Sequence, residues 1–472
     1  MQPAQTTTRQ WLAFAVLLAG GFLPPVDFFI VNVALPSIHD SLDASPAQVQ
    51  LVISGYAAGY AVFLITGGRM GDLFGRRRCF LLGLAGFAAT NLLCGIALSP
   101  VQLVVGRVLQ GLAAALLAPQ VLGAIRTLHT EERALARAFS IYGVMMGLAA
   151  AIGQFAGGAL VQWSPWDLGW RVVFLLKVPV CLLILFAAWA LVPETAERRK
   201  VTLDVGGAAL ISAALGAVVV PLSLGRDQGW PLWVFLVLAT VPFLVAGFIA
   251  HERRLMRRGG MPLVDLRLFA IPGFRRGVVV ATLFFFTTSF YFLFGIYQQE
   301  GRGVEPLQTG LAILPYGFGL FLGPLVSAPL MRRAAHNMLA IGMSIQVTFY
   351  ALIGVLVALG IANWPLFAVV FLAGLGQGIA FPRLFNTILG VVPAEQAGVA
   401  AGITNSALQM GAAGSAAAIG TLFFSVLDGG TGERAYGWAF AVAQWTLTTA
   451  LAIAMVMAIP AAWGRFGRAR SP

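Results

Sequence analysis

Charge is what this chain most conspicuously lacks. Only 10% of its 472 residues are Asp, Glu, Lys or Arg, against roughly 25% in soluble domains. Lysine is almost missing, with Lys177 and Lys200 the only two. No Gly-x-x-x-x-Gly-Lys phosphate loop occurs, so direct ATP hydrolysis through that motif is excluded. Gly374, Gly376 and Gly378 have the glycine density of a nucleotide loop, but they lie inside an apolar run, where close helix packing accounts for them. Cysteine is scarce and odd in number: Cys79, Cys94 and Cys181 all fall in apolar segments and give no disulfide framework. The four histidines, His39, His129, His251 and His336, fall in predicted loops without metal-ligand spacing. No base stands ready for a Ser–His hydrolase. No enzyme, metal site or organic cofactor is expected.

What is abundant is apolar length. Hydrophobic residues make up 59% of the chain and the mean hydropathy is +0.86. Stretches of about 20 apolar residues, each enough to span a bilayer, recur from end to end. They predict helices over 11–35, 48–70, 78–97, 101–123, 137–161, 169–191, 203–224 and 231–250. A further six are predicted over 274–297, 309–331, 338–359, 365–388, 397–425 and 437–459. The first run, Trp11–Val33 after Arg9, exceeds the 7–15 residues or so of a cleaved signal segment and contains Asp27, so it reads as a retained helix. The expected fold is an all-α membrane protein of about fourteen spanning helices in a multi-pass arrangement.

A net charge of +12 would suit a nucleic-acid partner only if it were clustered on one surface. Instead the arginines sit in alternate loops. With both termini cytoplasmic, 24 of the 30 Lys and Arg fall on the inner side and four, Arg171, Arg226, Arg302 and Arg434, on the outer. Arg107 and Lys177 remain within the membrane. That asymmetry fixes the expected orientation. Trp163, Trp166, Trp170, Trp230, Trp233, Trp364 and Trp438 fall at predicted outer helix ends, the interfacial position that amphipathic rings favour. The expected surroundings are a lipid bilayer, most simply the inner membrane of a bacterium, with neither nucleic acid nor an obligate protein partner.

The chain also repeats. Gln110-Gly111 followed by Pro119 in the fourth helix is matched by Gln377-Gly378 followed by Pro382 in the twelfth. The fifth and thirteenth helices are both rich in Gly and Ala. This predicts six-helix bundles over 1–195 and 261–472, joined by a linker, 196–260, that carries two additional helices. Parallel six-helix halves are a transporter architecture.

The strongest local motif is Gly68-Arg69-Met70-Gly71-Asp72-Leu73-Phe74-Gly75-Arg76-Arg77-Arg78, between the second and third helices. Its glycines permit a tight turn and close helix approach, and Asp72 can accept hydrogen bonds from Arg. Such a cluster suits a cytoplasmic gate, although a short basic loop obeying the charge rule would look alike. Asp27 is the most informative single residue, because an acidic group inside a membrane helix marks an ion or proton pathway by default. At 1.5 Å per residue, Asp27 and Arg107 lie about 12 and 9 Å from the outer ends of their helices, so the two are expected to share one network. Lys177, at a similar depth, is expected to snorkel outward, with a place in the cavity as the alternative. Asn32, Tyr56, Gln110, Tyr291, Tyr316, Gln377, Asn405 and Gln409 are candidates for lining a central cavity, or for helix–helix hydrogen bonds.

These motifs together resemble the major facilitator superfamily, and within it the fourteen-helix drug:proton antiporters. The 68–78 segment resembles the superfamily's signature loop. Asp27-Phe28-Phe29-Ile30-Val31-Asn32-Val33-Ala34-Leu35-Pro36, Arg107-Val108-Leu109-Gln110-Gly111, Trp170-Arg171 and Pro262-Leu263-Val264-Asp265-Leu266-Arg267-Leu268-Phe269 resemble further stretches of the antiporters, in order along the chain. The resemblance implies two halves rocking about a central site, with Asp27 in proton coupling or cation recognition and Gly68, Gly71, Asp72, Gly75, Arg76 and Arg77 in the gate. It implies efflux of amphipathic compounds, cations among them, in exchange for protons. One natural product, siderophore or metabolite as substrate is the alternative, and a non-transporting sensor a lesser one. The helix 5 packing motif is Gly147, Gly153, Gln154, Gly157 and Gly158, with Gln154 where the family usually has Pro. Lys177 stands where relatives commonly have Asn, and the loop at Arg332-Arg333 lacks the acidic residue of the signature loop.

Overall fold

The computed structural model of the chain describes residues 8–128, 132–194, 204–334, 338–361, 364–393 and 396–458. Every apolar run forms helix. The first six are α1 (Thr8–Leu42), α2 (Pro46–Phe74), α3 (Arg76–Gly95), α4 (Pro100–Leu128), α5 (Glu132–Trp163) and α6 (Gly169–Leu191). Two more, α7 (Val205–Leu224) and α8 (Leu232–Arg257), form an antiparallel pair. The last six are α9 (Pro272–Gly301), α10 (Pro306–Ala334), α11 (Met338–Ala358), α12 (Trp364–Gly390), α13 (Ala397–Leu427) and α14 (Gly432–Ala458). Thirteen of these are long and apolar enough to cross a membrane among the described residues; α5, helical throughout its span, is not one of the thirteen.

The helices run further than hydropathy predicts. α1 continues seven residues beyond the expected end at Leu35, through Pro36, and brings His39 into the helix, as α8 does His251. His129 and His336 lie outside the described residues. α4 likewise passes through Pro119 to Leu128. A proline removes one donor from the ladder but does not end a helix that neighbouring helices hold in place.

Glycine sets how closely the helices meet. A Cβ on Gly111 of α4 would lie 2.2 Å from the Tyr56 carbonyl oxygen of α2, and one on Gly59 of α2 2.5 Å from the Val108 carbonyl oxygen. The two backbones are therefore in contact, and no larger residue fits between them. Close contacts also join α3 to α4, α1 to α5, α10 to α12, and α11 to α12 and α14. Between the first six and last six helices the seam is made by α5 on α10, α2 on α13 and α1 on α9. α7 leans on both α2 and α13, so the additional pair lies along that seam.

α9 is the irregular element. Its α-helix ends at Phe285, passes through a 3-10 turn at Phe286–Thr288, resumes at Ser289–Ile296 and closes in a π turn at Tyr297–Gly301. Side chains serve the loosened carbonyls: Ser415 donates to Phe286 (2.7 Å) and Tyr350 to Thr287 (3.3 Å). Irregular backbone at membrane depth is tolerated where the protein supplies such partners.

Candidate functional site

Asp27 is fully buried in α1 and its carboxylate is the hub of a polar cluster. Arg107 of α4 donates from Nη1 to Asp27 Oδ2 at 2.5 Å, and Gln110, one turn along α4, donates to Oδ1 at 3.0 Å. Lys177 of α6 makes a third contact, Nζ to Oδ1. Arg107 also donates to the Gln110 side-chain oxygen Oε1 (2.6 Å) and, through Nε, to the Val52 backbone carbonyl oxygen of α2 (3.0 Å). Its guanidinium carbon lies 4.3 Å from the centre of the Tyr56 ring and 5.9 Å from that of Phe174, and Lys177 Nζ lies 4.9 Å from the Phe174 ring. Tyr56 in turn donates to the Pro24 carbonyl oxygen (3.1 Å). Three helices, α1, α4 and α6, thus meet at one carboxylate, and α2 braces Arg107. Charges taken this far from water persist only when paired and hydrogen-bonded.

Lys177 departs from expectation. Instead of snorkelling to an interface, its side chain turns inward and is buried. A carboxylate within reach in a water-poor interior is a stronger attraction than a distant headgroup region. Trp170 departs too. It is buried rather than interfacial, with its ring against Phe174 and under the Arg171 guanidinium, 4.5 Å away.

The remaining candidates separate into groups. In the second half, Tyr316 of α10 donates to Gln377 of α12 (2.6 Å) and its hydroxyl oxygen lies 2.9 Å from that of Tyr350 of α11, while Gln346 donates to Tyr316 (3.3 Å). Tyr291 of α9 packs edge-on against Tyr316, with ring centres 5.3 Å apart, and against Phe29 of α1 at 4.8 Å, which ties this network to the seam. Gln346 and Tyr350 were not among the expected residues; their spacing of one helical turn on α11 is the signal that would have found them. Asn32 is buried and donates to the Phe28 carbonyl oxygen of its own helix (2.7 Å). Asn405 and Gln409 are half-buried on α13.

Within the helix 5 motif, Gly153 and Gly157 pack on α1 and Gly158 on α10. A Cβ there would meet the Val26, Ile30 and Pro306 carbonyl oxygens at 2.9, 2.6 and 2.3 Å. The Gln154 side chain is buried and neither of its polar atoms has a partner. Gly147 lies where side chains are outside the description, as do Asp72, Arg332 and Arg333. In the 68–78 segment, Gly75 closes α2 with φ +98° and donates to the Gly71 carbonyl oxygen (3.1 Å). Gly68 lies against Pro119, and Gly71 gives Gln120 of α4 the room to donate to Gly67 (2.9 Å). Arg76 lies against Gly123, and Arg77 donates to the Trp189 carbonyl oxygen of α6.

Arg69 does something the motif did not predict. It donates to the carbonyl oxygens of Met261 (3.0 Å) and Pro262, clamping the strap that leads into α9. The other side of the strap is held by the additional pair. Asp204, capping α7, accepts from Gly207 N–H (2.8 Å), Leu263 N–H (3.2 Å) and His251 Nε2 (2.7 Å), and Glu252 accepts from Val264 N–H (3.3 Å).

A family model described as Major Facilitator Superfamily matches residues 17–416. The chain belongs to that superfamily. It is 34% identical over 429 residues to a probable actinorhodin transporter of Streptomyces coelicolor, covering 89% of this chain and 73% of that one. It is 30% identical over 422 residues to the multidrug resistance protein Stp of Mycobacterium tuberculosis, covering 87% and 75%. Among solved structures it is similar to a bacterial homologue of the human lysosomal transporter Spinster, with a TM-score of 0.70 at 15% identity, covering 99% of both chains. This superfamily chain is a multi-pass membrane transporter and not an enzyme.

Proposed function

We propose that this superfamily member exports amphipathic small molecules in exchange for protons by alternating access. The observation that carries the reading is the buried carboxylate of Asp27, held by groups from α4 and α6 and next to the α1–α9 seam. A carboxylate whose partners come from separate helices can take a proton only as those partners let go, which links protonation to helix movement. The seam contacts support a state closed at the tryptophan-rich end: Gln162 donates to Glu305 (2.6 Å), Gln299 to the Val33 carbonyl oxygen (2.9 Å), and Gln50 lies against Thr421 (3.3 Å). With the arginine-rich end cytoplasmic, the closed end is the outer one. The energy source is then the proton gradient, and no organic cofactor enters.

The test uses everted membrane vesicles loaded with a pH-sensitive dye and a panel of antibiotics. Compound-dependent loss of the pH gradient in wild type, absent in Asp27→Asn at matched expression, is the expected result. Equal responses from both would sink the assignment of Asp27. A narrower reading, export of a single natural product, is favoured by the similarity to a chain named for actinorhodin alone. Response to one compound of the panel and not to the others would select it.

A further inference from the structure

The Asp27 cluster does not balance. One buried carboxylate faces two buried basic groups, Arg107 and Lys177, and with both protonated the cluster carries one positive charge in excess. Tyr56, Cys94 and Cys181, the other titratable side chains packed around it, are neutral when protonated and supply no second anion. Gln110 and the Val52 carbonyl offer dipoles only. A second, independent observation points the same way: Nη2 of Arg107 is buried and has no hydrogen-bond partner. A guanidinium nitrogen out of water and without an acceptor is a costly arrangement. An oxyanion supplied by a ligand would satisfy both the open donor and the charge.

We propose that the ligand of this site is an amphipathic organic monoanion whose charged oxygen group is taken by Arg107 Nη2 and Lys177, with Lys177 the residue that sets the preference for negative charge. The cationic solutes that the resemblance implies would be drawn to the Asp27 carboxylate. Here that carboxylate is already matched by Arg107, so an arriving cation would meet a positive site. Phe174 and Tyr56, buried here, flank the two cations, so the apolar body of such a ligand would meet their rings only as the helices part. The inference deepens the export reading by naming its substrate class, and binding to the purified chain tests it apart from transport.

The probes are anthraquinone-2-carboxylate, its carboxamide and its aminomethyl analogue, which share one ring system and differ in charge. Binding to the full chain in detergent is followed by tryptophan fluorescence quenching. The carboxylate is expected to bind at least tenfold tighter than the other two. Lys177→Met, which leaves the neutral Asp27–Arg107 pair in place, removes that advantage while carboxamide binding stays within about twofold. Lys177→Arg, which keeps the charge, retains it and guards against a folding defect in the first variant. A wild type that prefers the amine or the carboxamide, or fails to bind the carboxylate, overturns the proposal. So does a carboxylate advantage that survives in Lys177→Met. If the binding pattern holds but no probe moves in vesicles, the export reading fails and the anion site stands.

Discussion

At the scale of single residues, one carboxylate with several donors holds the buried cluster together. Removing either member of a buried pair strands the other, at a cost of about 3–5 kcal/mol where the pair is fully desolvated. Asp27→Asn and Arg107→Gln, each losing the charged contact at 2.5 Å, should therefore lower the thermal midpoint of the purified protein. The double variant should fall short of the sum of the two by at least about 1 kcal/mol, as neighbours in one network do. Additive losses would mean that the two side chains act independently. Much of this pairing was legible beforehand, because helical rise alone places Asp27 and Arg107 at similar depths. Gln110 follows by lying one turn from Arg107. Lys177 was not legible: a lysine at that depth in isolation favours the interface, and only the packing of α6 against α1 brings a carboxylate within its reach. The Gln346–Tyr316–Tyr350 network was hidden for a similar reason, since its members come from two helices that hydropathy cannot register against each other.

At the scale of elements, the additional helices do more than join the halves. Asp204, beyond the start of α7, anchors the strap that Arg69 grips from α2. Burial pushes its carboxyl group up, but hydrogen bonds from Gly207 N–H, the His251 and Glu252 side chains and Leu263 N–H outweigh that and hold it below the ordinary carboxylate range. A lowered carboxylate contributes stability above its unfolded pKa, near pH 4, and loses it as pH falls through the folded value. Asp204→Asn, which keeps an N-cap acceptor but not the charge, should thus cost about 1–3 kcal/mol at neutral pH through the charge-assisted bonds it weakens. The gap to wild type in thermal melts should close below about pH 4. A gap that is constant with pH would remove the charge from the explanation. Most helix positions were readable from apolar runs, because span length is fixed by the bilayer. Their ends and the break in α9 were not, since the carbonyls that α9 frees are answered by Ser415 and Tyr350 from other helices.

At the scale of the molecule, alternating access requires the seam at the tryptophan-rich end to open in every cycle. Gln162 of α5 and Glu305, just before α10, touch across it. Cysteines placed at both positions should form a cross-link under oxidant, with transport falling at least tenfold and recovering on reduction; full transport by the cross-linked protein would rule out opening there. Arg69 and the strap meanwhile tie the gate segment of the first half to the entry of the second. The repeated Gln-Gly pairs of α4 and α12 are what suggests two halves in the sequence. That α7 lies along the seam against both α2 and α13 could not be read there, because an apolar helix of even composition carries no mark of which neighbours it meets. If Asp27 couples proton movement to export, purified protein in liposomes with an imposed pH gradient reveals it: an antibiotic identified in the vesicle panel should move against its own gradient only while the pH gradient stands, and not at all with Asp27→Asn. Movement indifferent to the pH gradient, or retained by that variant, would contradict it.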